Sequence, residues 1–477
     1  MESSCATEAG PVGSVRAVEL FHRAAAEVPA YRQFLADNGI RAEEIRTAAD
    51  FAAVPAVTKA NYLRRYPLPE QLWRGDITRA GTWSTSSGST GEPTYWPRDR
   101  VSLADSVTMY DRIFRACFET DRRSTLLVIG FALGNWIGGT YTYRAALELR
   151  DRGHRVSVVA PGIDIDTILR DITDLGPHYD QVVLAGYPPF VKDVLDQAGP
   201  RVRGRELRLL LAGENITEQW RAHILDRIGR PGEPWRVCLM YGTADAGVMG
   251  YETPLTIAIR RLAHQDSRLA EELFGGGAAL PTFVEYDPRL RYTEVDAAGR
   301  FLFTVDSTLP LIRYRINDEG TILTPSRLAE TLRRHGHRLP ADEVRPDTGF
   351  LALRRRADVA ASFYAVKLYP ESVRAALEDP VIRTLVSGKF VLSTEIGDTF
   401  TQTLCLRVEM RPGVEPPPGF ADLIAHRVTA TLDRTNGEYR KLRATLGPAA
   451  EVAVAVDPFG GDRFRYDIKH TYVESGG

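Results

Sequence analysis

Five apolar runs occupy the middle of the chain: LLVIGFA from Leu126, RVSVVAPG from Arg155, QVVLAG from Gln181, RLLLAGE from Arg208 and WRVCLMYG from Trp235. Their starts lie about 26 to 29 residues apart, the length that a strand, a helix and two loops occupy. Between them stand helix-like stretches such as TYTYRAALELRDRG and PPFVKDVLDQAG. This repetition argues for a largely parallel sheet covered by helices, since parallel neighbours need a long crossover. The segment Asn215 to Gly229 carries its own helix punctuation, with Asn215 placed to cap, Glu218 three residues on, and a glycine just past the last turn.

The pattern changes after about Tyr251, where short strands such as RFLFTVDST and LIRYRIND alternate with Gly/Pro/Asp turns. They predict a β-rich layer that closes a large first domain. A boundary falls near Asp358. Beyond it come a helix (PESVRAALED), a hairpin (KFVLSTEIGD, then TFTQTLCLRVEM), a helix around ADLIAHRVTATLDR and a strand (EVAVAVDP). That is a compact α+β unit of about 120 residues. The expected class is therefore α/β, with a large N-terminal domain of mostly parallel, helix-covered sheet at 1–357 and a small α+β domain at 358–477. No repeats or low-complexity tracts interrupt it.

Charge narrows the partners. Sixty Lys+Arg against 62 Asp+Glu leave a formal net charge of −2, so nothing draws the chain generally to nucleic acid or to an anionic membrane, and any anion site must be local. No segment approaches 18 uncharged apolar residues, and the N-terminus has neither a basic start nor an apolar stretch. Cys5, Cys117, Cys238 and Cys405 are scattered singly without CxxC spacing. That suits a soluble, reduced, cytoplasmic protein and gives no zinc or redox signature.

The run from Ser84 to Thr94, STSSGSTGEPT, combines hydroxyl donors with glycines that let backbone N–H groups approach a polyanion, so it can cradle phosphates. No Gly-Lys-Ser/Thr follows, so it is not a Walker A loop; the plainer alternative is a flexible loop. Asp245 comes just after a strand ending in Tyr241, at the carboxyl edge of a parallel sheet where such folds bind substrates, or else it only forms a turn. Asp318 can accept from two adjacent hydroxyls with its two oxygens, although Asn-Asp-Glu-Gly is also good turn chemistry. Tyr241 can stack on a base or serve as a strand-end core aromatic. The stretch Gly130 to Tyr141, GFALGNWIGGTY, sets glycines around Trp136. With Tyr187-Pro188-Pro189 it can form an apolar, aromatic cavity for a small planar acid; the competing account is helix packing that needs small residues.

Taken together these segments resemble the adenylate-forming superfamily of acyl-CoA synthetases, peptide-synthetase adenylation domains and luciferases. The resemblance is nearest to the phenylacetate–CoA ligase branch, whose loop reads SSGTTGKPT where this chain has SSGSTGEPT. Tyr241-Gly242-Thr243-Ala244-Asp245 resembles YGxTE or YGxSE, with Asp245 where the family has a magnesium-binding Glu. The segment Pro310 to Asp318, PLIRYRIND, resembles PLIRYRTGD, whose aspartate holds the ribose hydroxyls. Arg356-Ala357-Asp358, followed by Tyr369-Pro370-Glu371-Ser372-Val373, resembles the GRxDD…FPxxIE hinge region. Pro55-Ala56-Val57-Thr58-Lys59 resembles the PxxTK segment near the start of these ligases. The matches run in the family's order from about residue 50 to about residue 470.

The resemblance implies ATP and Mg2+ as cofactors, with CoA as a further one for a thioester-forming enzyme. It implies ATP or AMP contacts by Ser86, Ser87, Gly88, Ser89, Thr90, Gly91, Gly213, Glu214, Tyr241, Gly242, Thr243, Asp318 and Arg356, and metal binding by Asp245. Trp136, Gly138, Tyr187 and Pro188 would line the acyl pocket, and Asp358 would be the hinge of a mobile small domain. In relatives a lysine from the final segment reaches the α-phosphate. Here the lysines of the last hundred residues are Lys389, Lys441 and Lys469. Lys469 stands nearest the expected place, with Arg463 its rival because the usual Gly-Lys pair appears as Gly461-Asp462-Arg463. Ala365 replaces a glycine that lines the pantetheine tunnel, and a methyl group there resists close approach of another chain. Three outcomes stay open: a ligase that adenylates a small, aromatic acid and transfers it to CoA or a carrier-protein thiol; an adenylating enzyme with a non-thiol acceptor, such as nitrite activation for diazotisation of an aromatic amine; and a degenerate homologue without turnover. An oligomer is compatible with each.

Overall fold

The computed structural model describes residues 11–86, 94–135, 137–275, 280–338, 348–356, 361–364, 366–396, 402–464 and 472–474. A short antiparallel hairpin comes first, β1 (Thr82–Ser86) with β2 (Thr94–Arg98), in the register Ser86↔Thr94. The five apolar runs then form β3 (Thr125–Gly130), β4 (Val156–Val159), β5 (Gln181–Gly186), β6 (Leu207–Ala212) and β7 (Val237–Thr243). These pair in parallel in the spatial order β4-β3-β5-β6-β7. Both faces are covered, which is why the runs are continuously apolar instead of alternating with polar residues. Leu127, Ile129, Val183 and Ala185 pack under the Arg100–Phe118 and Ile137–Asp151 helices. Their sequence neighbours Leu126, Val128, Val182 and Leu184 point the other way, under helices Ile165–Asp174, Pro188–Gln197 and Glu218–Arg227.

The β-rich stretch does not make a layer of its own. It continues the same sheet as β8 (Gly247–Tyr251), β9 (Thr282–Tyr286), β10 (Tyr292–Val295), β11 (Arg300–Val305), β12 (Leu311–Leu323) and β13 (Gly349–Arg356). The full order is β10-β11-β12-β13-β9-β8-β7-β6-β5-β3-β4, eleven strands, antiparallel from β10 to β7 and parallel beyond. The switch occurs where the chain turns tightly after β7. Gly247, at φ +77°, lets β8 return directly alongside β7 without a helical crossover. The opening helices Pro11–Glu27 and Pro29–Asp37 cover this half, Phe21 and Phe34 joining Phe301, Phe303 and Tyr314 in one core.

The helix expected from Asn215 starts instead at Glu218, and its cap is Thr217, whose hydroxyl accepts from the Trp220 N–H at 3.0 Å. Asn215 is occupied elsewhere: its side chain accepts from Thr282 at 2.9 Å and its carbonyl from Arg374 at 2.9 Å.

The remaining chain builds a hairpin, β14 (Ala361–Phe363) with β15 (Val366–Leu368), and a second sheet from β16 (Val386–Ile396), β17 (Gln402–Met410), β18 (Ala453–Asp457) and β19 (Val473–Glu474). Its order is β18-β17-β16-β19. Helices Pro370–Leu377 and Phe420–Thr435 pack on it, and residues from Ala361 to Tyr472 form a core of their own. The expected boundary at Asp358 lies outside the described residues. No helix among them is long and apolar enough to cross a membrane.

Candidate functional site

Strands β7 and β12 bring together residues 60 to 80 positions apart in sequence, a distance fixed by the sheet order and not by any local pattern. Tyr241, near the end of β7, donates its hydroxyl to Asp318 Oδ2 at 2.6 Å. Tyr314 donates to Asp245 Oδ2, also at 2.6 Å. Both carboxylates are buried, Asp245 at 7% and Asp318 at 8% exposure, so each needs hydrogen-bond partners from the protein in place of water. Thr243 shapes the turn between them by accepting the Ala246 N–H at 3.0 Å.

Other segments close around this pair. Arg98, at the end of β2, is buried and donates to the carbonyls of Ala244 and Asp245, the latter at 3.1 Å. Trp96, two residues earlier on the same strand, packs edge-on against Tyr314 with ring centroids 6.0 Å apart. Val57 forms a parallel bridge to Tyr314, its N–H donating to Arg313 O at 3.1 Å and its carbonyl accepting from Arg315 at 2.8 Å. Arg313 holds φ +48°, unusual for a residue with a side chain. Its guanidinium is fixed by Glu294 at 3.0 Å and by the Val54 carbonyl. The Thr85 N–H donates to Asn135 O at 2.9 Å, which joins the β1–β2 hairpin to the loop after β3. The PAVTK, YGTAD and PLIRYRIND segments and the hairpin that flanks the Ser/Thr/Gly run thus share one edge of the sheet.

Of the expected nucleotide contacts, Tyr241, Gly242, Thr243 and Asp318 lie at this edge, and Arg356 stands opposite Asp318 across the β12–β13 pairing. Ser86 ends β1. Ser87, Gly88, Ser89, Thr90 and Gly91, the pocket residue Trp136, the hinge residue Asp358, the tunnel residue Ala365 and Lys469 fall outside the described residues.

Gly213 and Glu214 follow β6, with Gly213 at φ +91°. A Cβ on Gly213 would sit 2.6 Å from the Tyr187 ring, so that ring rests directly on the backbone. The Glu214 carboxylate is engaged from the second sheet's side: Tyr472 donates to it at 2.6 Å and Arg374 at 3.3 Å, with the Arg374 guanidinium 4.8 Å from the Tyr472 ring. Burial, reinforced by the neighbouring Glu214, pushes the Tyr472 phenol well above its usual range. Arg374 and Tyr472 were not singled out in the sequence, and neither were Arg98 and Tyr314. Tyr314 lies inside a recognisable motif, but the other three are single residues without a local signal.

For the acyl pocket, Tyr187 meets Phe131 edge-on at 5.2 Å, and Pro188 opens the Pro188–Gln197 helix and is buried. A Cβ on Gly138 would make ordinary contact with the Phe131 ring at 3.4 Å, whereas one on Gly139 would lie 2.5 Å from the Ala132 carbonyl. Close helix packing therefore accounts for Gly139, and Gly138 borders the aromatic pair.

The same Pro188–Gln197 helix carries a second group of carboxylates. Asp193 meets Lys389 of β16 at 3.1 Å, and Lys389 also meets Glu409 of β17 at 2.9 Å, all three side chains at 2% exposure or less. Asp196 accepts from Arg411 at 2.9 and 3.0 Å, from Lys192 at 2.7 Å and from Arg227 at 2.7 Å. Lys389 is thereby removed from the candidate cations. Lys441 is exposed on the Gly437–Leu446 helix, and Arg463 is exposed in the Asp462–Phe464 turn.

Among the described residues no group of three His, Cys, Asp or Glu side chains could hold a metal. Asp245 offers one carboxylate, which fits magnesium only where phosphate oxygens and water supply the remaining ligands. Cys117 and Cys238 are buried and both donate to the Glu252 carbonyl, so neither is a nucleophile.

No family sequence profile and no curated protein sequence matches the chain. Solved structures do. A 2-hydroxyisobutyryl-CoA ligase in the postadenylation state, in complex with R3-HIB-AMP, aligns with a TM-score of 0.66 at 17% identity, covering 97% of this chain and 88% of that one. An open conformation of that ligase with 2-HIB-AMP and CoA gives 0.53 at 15% identity, over 97% and 90% of the two chains. Its thioesterification state with the same two ligands gives 0.51 at 15% identity, over 98% and 89%. The chain therefore has the fold of that CoA ligase over nearly its whole length.

Proposed function

We propose that this chain is an ATP-dependent adenylate-forming ligase, which joins a small carboxylic acid to AMP with release of pyrophosphate and then passes the acyl group to the thiol of CoA or a carrier protein. The observation that carries this reading is the pair of tyrosine-bound carboxylates, Asp318 with Tyr241 and Asp245 with Tyr314, at the edge of the sheet next to the β1–β2 hairpin. A nucleotide needs a hydroxyl acceptor at its ribose and a metal-compatible carboxylate near its phosphates, and these two residues are suited to supply them.

In this account Asp318 accepts from the ribose hydroxyls while Tyr241 shares or yields its own hydrogen bond. Asp245 would hold magnesium, which supplies positive charge against the repulsion between the attacking carboxylate and the triphosphate. Backbone N–H groups of residues 86–91 orient the phosphates, and Lys469, with Arg463 as the rival, neutralises charge at the α-phosphate. Residues 1–357 and 358–477 serve as body and lid, with Asp358 as the pivot. We place the acyl group beside the Phe131–Tyr187 ring pair, which would suit an aromatic acid. The singly scattered cysteines without CxxC spacing suit a reduced, cytoplasmic setting.

Ala365 favours a second reading, in which AMP is transferred to activate an acid for a non-thiol acceptor, nitrite for diazotisation of an aromatic amine being one such case. Acid-dependent ATP–pyrophosphate exchange across a panel of acids, nitrite included, tests the adenylation step. Product mass analysis with and without CoA separates the acceptors: a CoA-dependent thioester supports the first reading, and AMP release without thioester the second. Absence of exchange with every acid would overturn both.

A further inference from the structure

Asp245 lies in the turn between β7 and β8, which is closed by pairing of Thr243 with Gly247 and by the Ala246 N–H donating to the Thr243 hydroxyl at 3.0 Å. Its side chain is held by Tyr314, which donates to Oδ2 at 2.6 Å. Its backbone is held from a different element. Arg98 Nη2 donates to two consecutive carbonyls of the turn, those of Ala244 and Asp245, the second at 3.1 Å.

Arg98 reaches the turn from a fixed base. It ends β2, opposite Thr82 of β1, and its own carbonyl accepts the Gly81 N–H at 2.9 Å. The next residue, Asp99, caps the Arg100–Phe118 helix by accepting the Ser102 N–H at 2.9 Å. Hairpin and helix thus fix the backbone on both sides of Arg98, and the residue is only 5% exposed. Its donor is ionised, so each bond to a carbonyl is stronger than a neutral donor would make. The two carbonyls it grips belong to the peptide units on either side of the Asp245 Cα. Because a residue has only two soft backbone dihedrals, holding both peptide planes fixes the direction in which the Asp245 side chain leaves the turn.

We propose that Arg98 is a positioning residue for metal binding: from β2 it sets the backbone of Asp245 while Tyr314 sets the carboxylate, so that a divalent cation on the nucleotide's phosphates finds that carboxylate in place. The inference rests on the adenylation reading, in which Asp245 holds magnesium. Magnesium demands near-ideal octahedral geometry, so a carboxylate that is free to swing competes poorly with water for a place around the ion. Groups that orient a metal ligand commonly change metal affinity by about ten- to a hundredfold when they are removed.

The test is calorimetric affinity for α,β-methylene-ATP, an analogue not cleaved at the α-phosphate, with and without Mg2+, on the full chain and on Arg98→Met, Arg98→Lys and Asp245→Asn. The wild type is expected to bind about tenfold or more tightly with Mg2+, and Asp245→Asn to lose that gain. Arg98→Met should lose most of it with its metal-free affinity unchanged, and Arg98→Lys should keep an intermediate gain, since one ammonium does not reproduce the planar guanidinium. A role confined to fastening the hairpin would weaken binding with and without the metal alike, or lower the melting temperature and leave the Mg2+ gain intact. Either result would overturn the proposal. If Arg98→Met does not fold, Arg98→Lys decides, and a Mg2+ gain equal to that of the wild type counts against it. A wild type that binds the analogue equally well with and without Mg2+ would remove the metal role of Asp245 and this inference with it, whereas one that binds no analogue at all would remove the adenylation reading itself.

Discussion

Two groups of buried aspartates lie within reach of the same parallel sheet, and their described partners differ in kind. At the edge beside the β1–β2 hairpin, Asp318 and Asp245 accept hydrogen bonds from the Tyr241 and Tyr314 hydroxyls. At the junction with the second sheet, Asp193 and Asp196 meet the cations Lys389, Lys192, Arg227 and Arg411. A phenol can give up its place to a ligand hydroxyl at small cost. A buried ion pair cannot be opened without leaving a charge stranded in low dielectric. On the proposed function, the tyrosine-bound pair is suited to exchange with a ligand, and the junction to holding two parts of the protein together.

Removing one charge at the junction should break this contrast most clearly. Lys389→Met removes the cation that Asp193 and Glu409 share, and about 3 to 5 kcal/mol of stability should be lost. Chemical denaturation measures it; a loss below about 1 kcal/mol would mean that the pairs contribute nothing beyond packing. At the edge beside the hairpin the effect should fall on catalysis. Lys469→Ala should slow adenylation on the order of a hundredfold, as for loss of one transition-state charge donor. If Arg463→Ala does so and Lys469→Ala does not, the cation has been misassigned.

Asp318→Ala should weaken ATP use by about 2 to 3 kcal/mol, since ligand hydroxyls lose a two-oxygen acceptor. Unchanged ATP kinetics would refute that role and reduce the Tyr241 contact to a structural one. The smallest expected effect is on pH dependence. Burial, then Lys192 and Arg383, press His223 down to about 4, so the folded state holds it neutral at a pH where the unfolded chain protonates it. Folded-state stability therefore falls as pH drops from about 6.5 towards 4. His223→Gln lacks this penalty, and its melting temperature relative to wild type should rise between pH 7.5 and pH 5. Asp193, pushed up to about 6 by burial, titrates in both proteins and drops out of the difference. A difference that does not change with pH would show that His223 is freely solvated.

How much of this was legible in sequence varies with the range of the interaction. The five parallel strands follow from apolar runs too uniform for a half-exposed sheet, and each appears within a few residues of its expected place. The hairpin and helices of the second sheet were equally plain, because turn glycines and period-two or period-3.6 patterns are local. What was not legible is where segments meet. Nothing in RFLFTVDST says that its strand will extend the parallel sheet and not cover it; that depends on Gly247 reversing the chain after β7. Asn215 offered a good cap but was taken by Thr282 and Arg374, so the helix began two residues later than a local rule allows. Asp245 and Asp318 stood out as isolated carboxylates, whereas their tyrosine partners lie on strands 69 and 77 positions away. Likewise Glu214 could be marked as a site residue, but not that Arg374 and Tyr472 would engage it.

The most direct test of the central claim is a crystal structure with bound AMP. The ribose hydroxyls should lie within hydrogen-bond distance of the Asp318 carboxylate, with the phosphate directed towards the β1–β2 hairpin and Asp245. A nucleotide bound elsewhere on the molecule, with the Tyr241–Asp318 and Tyr314–Asp245 bonds intact and unoccupied by ligand, would contradict the account.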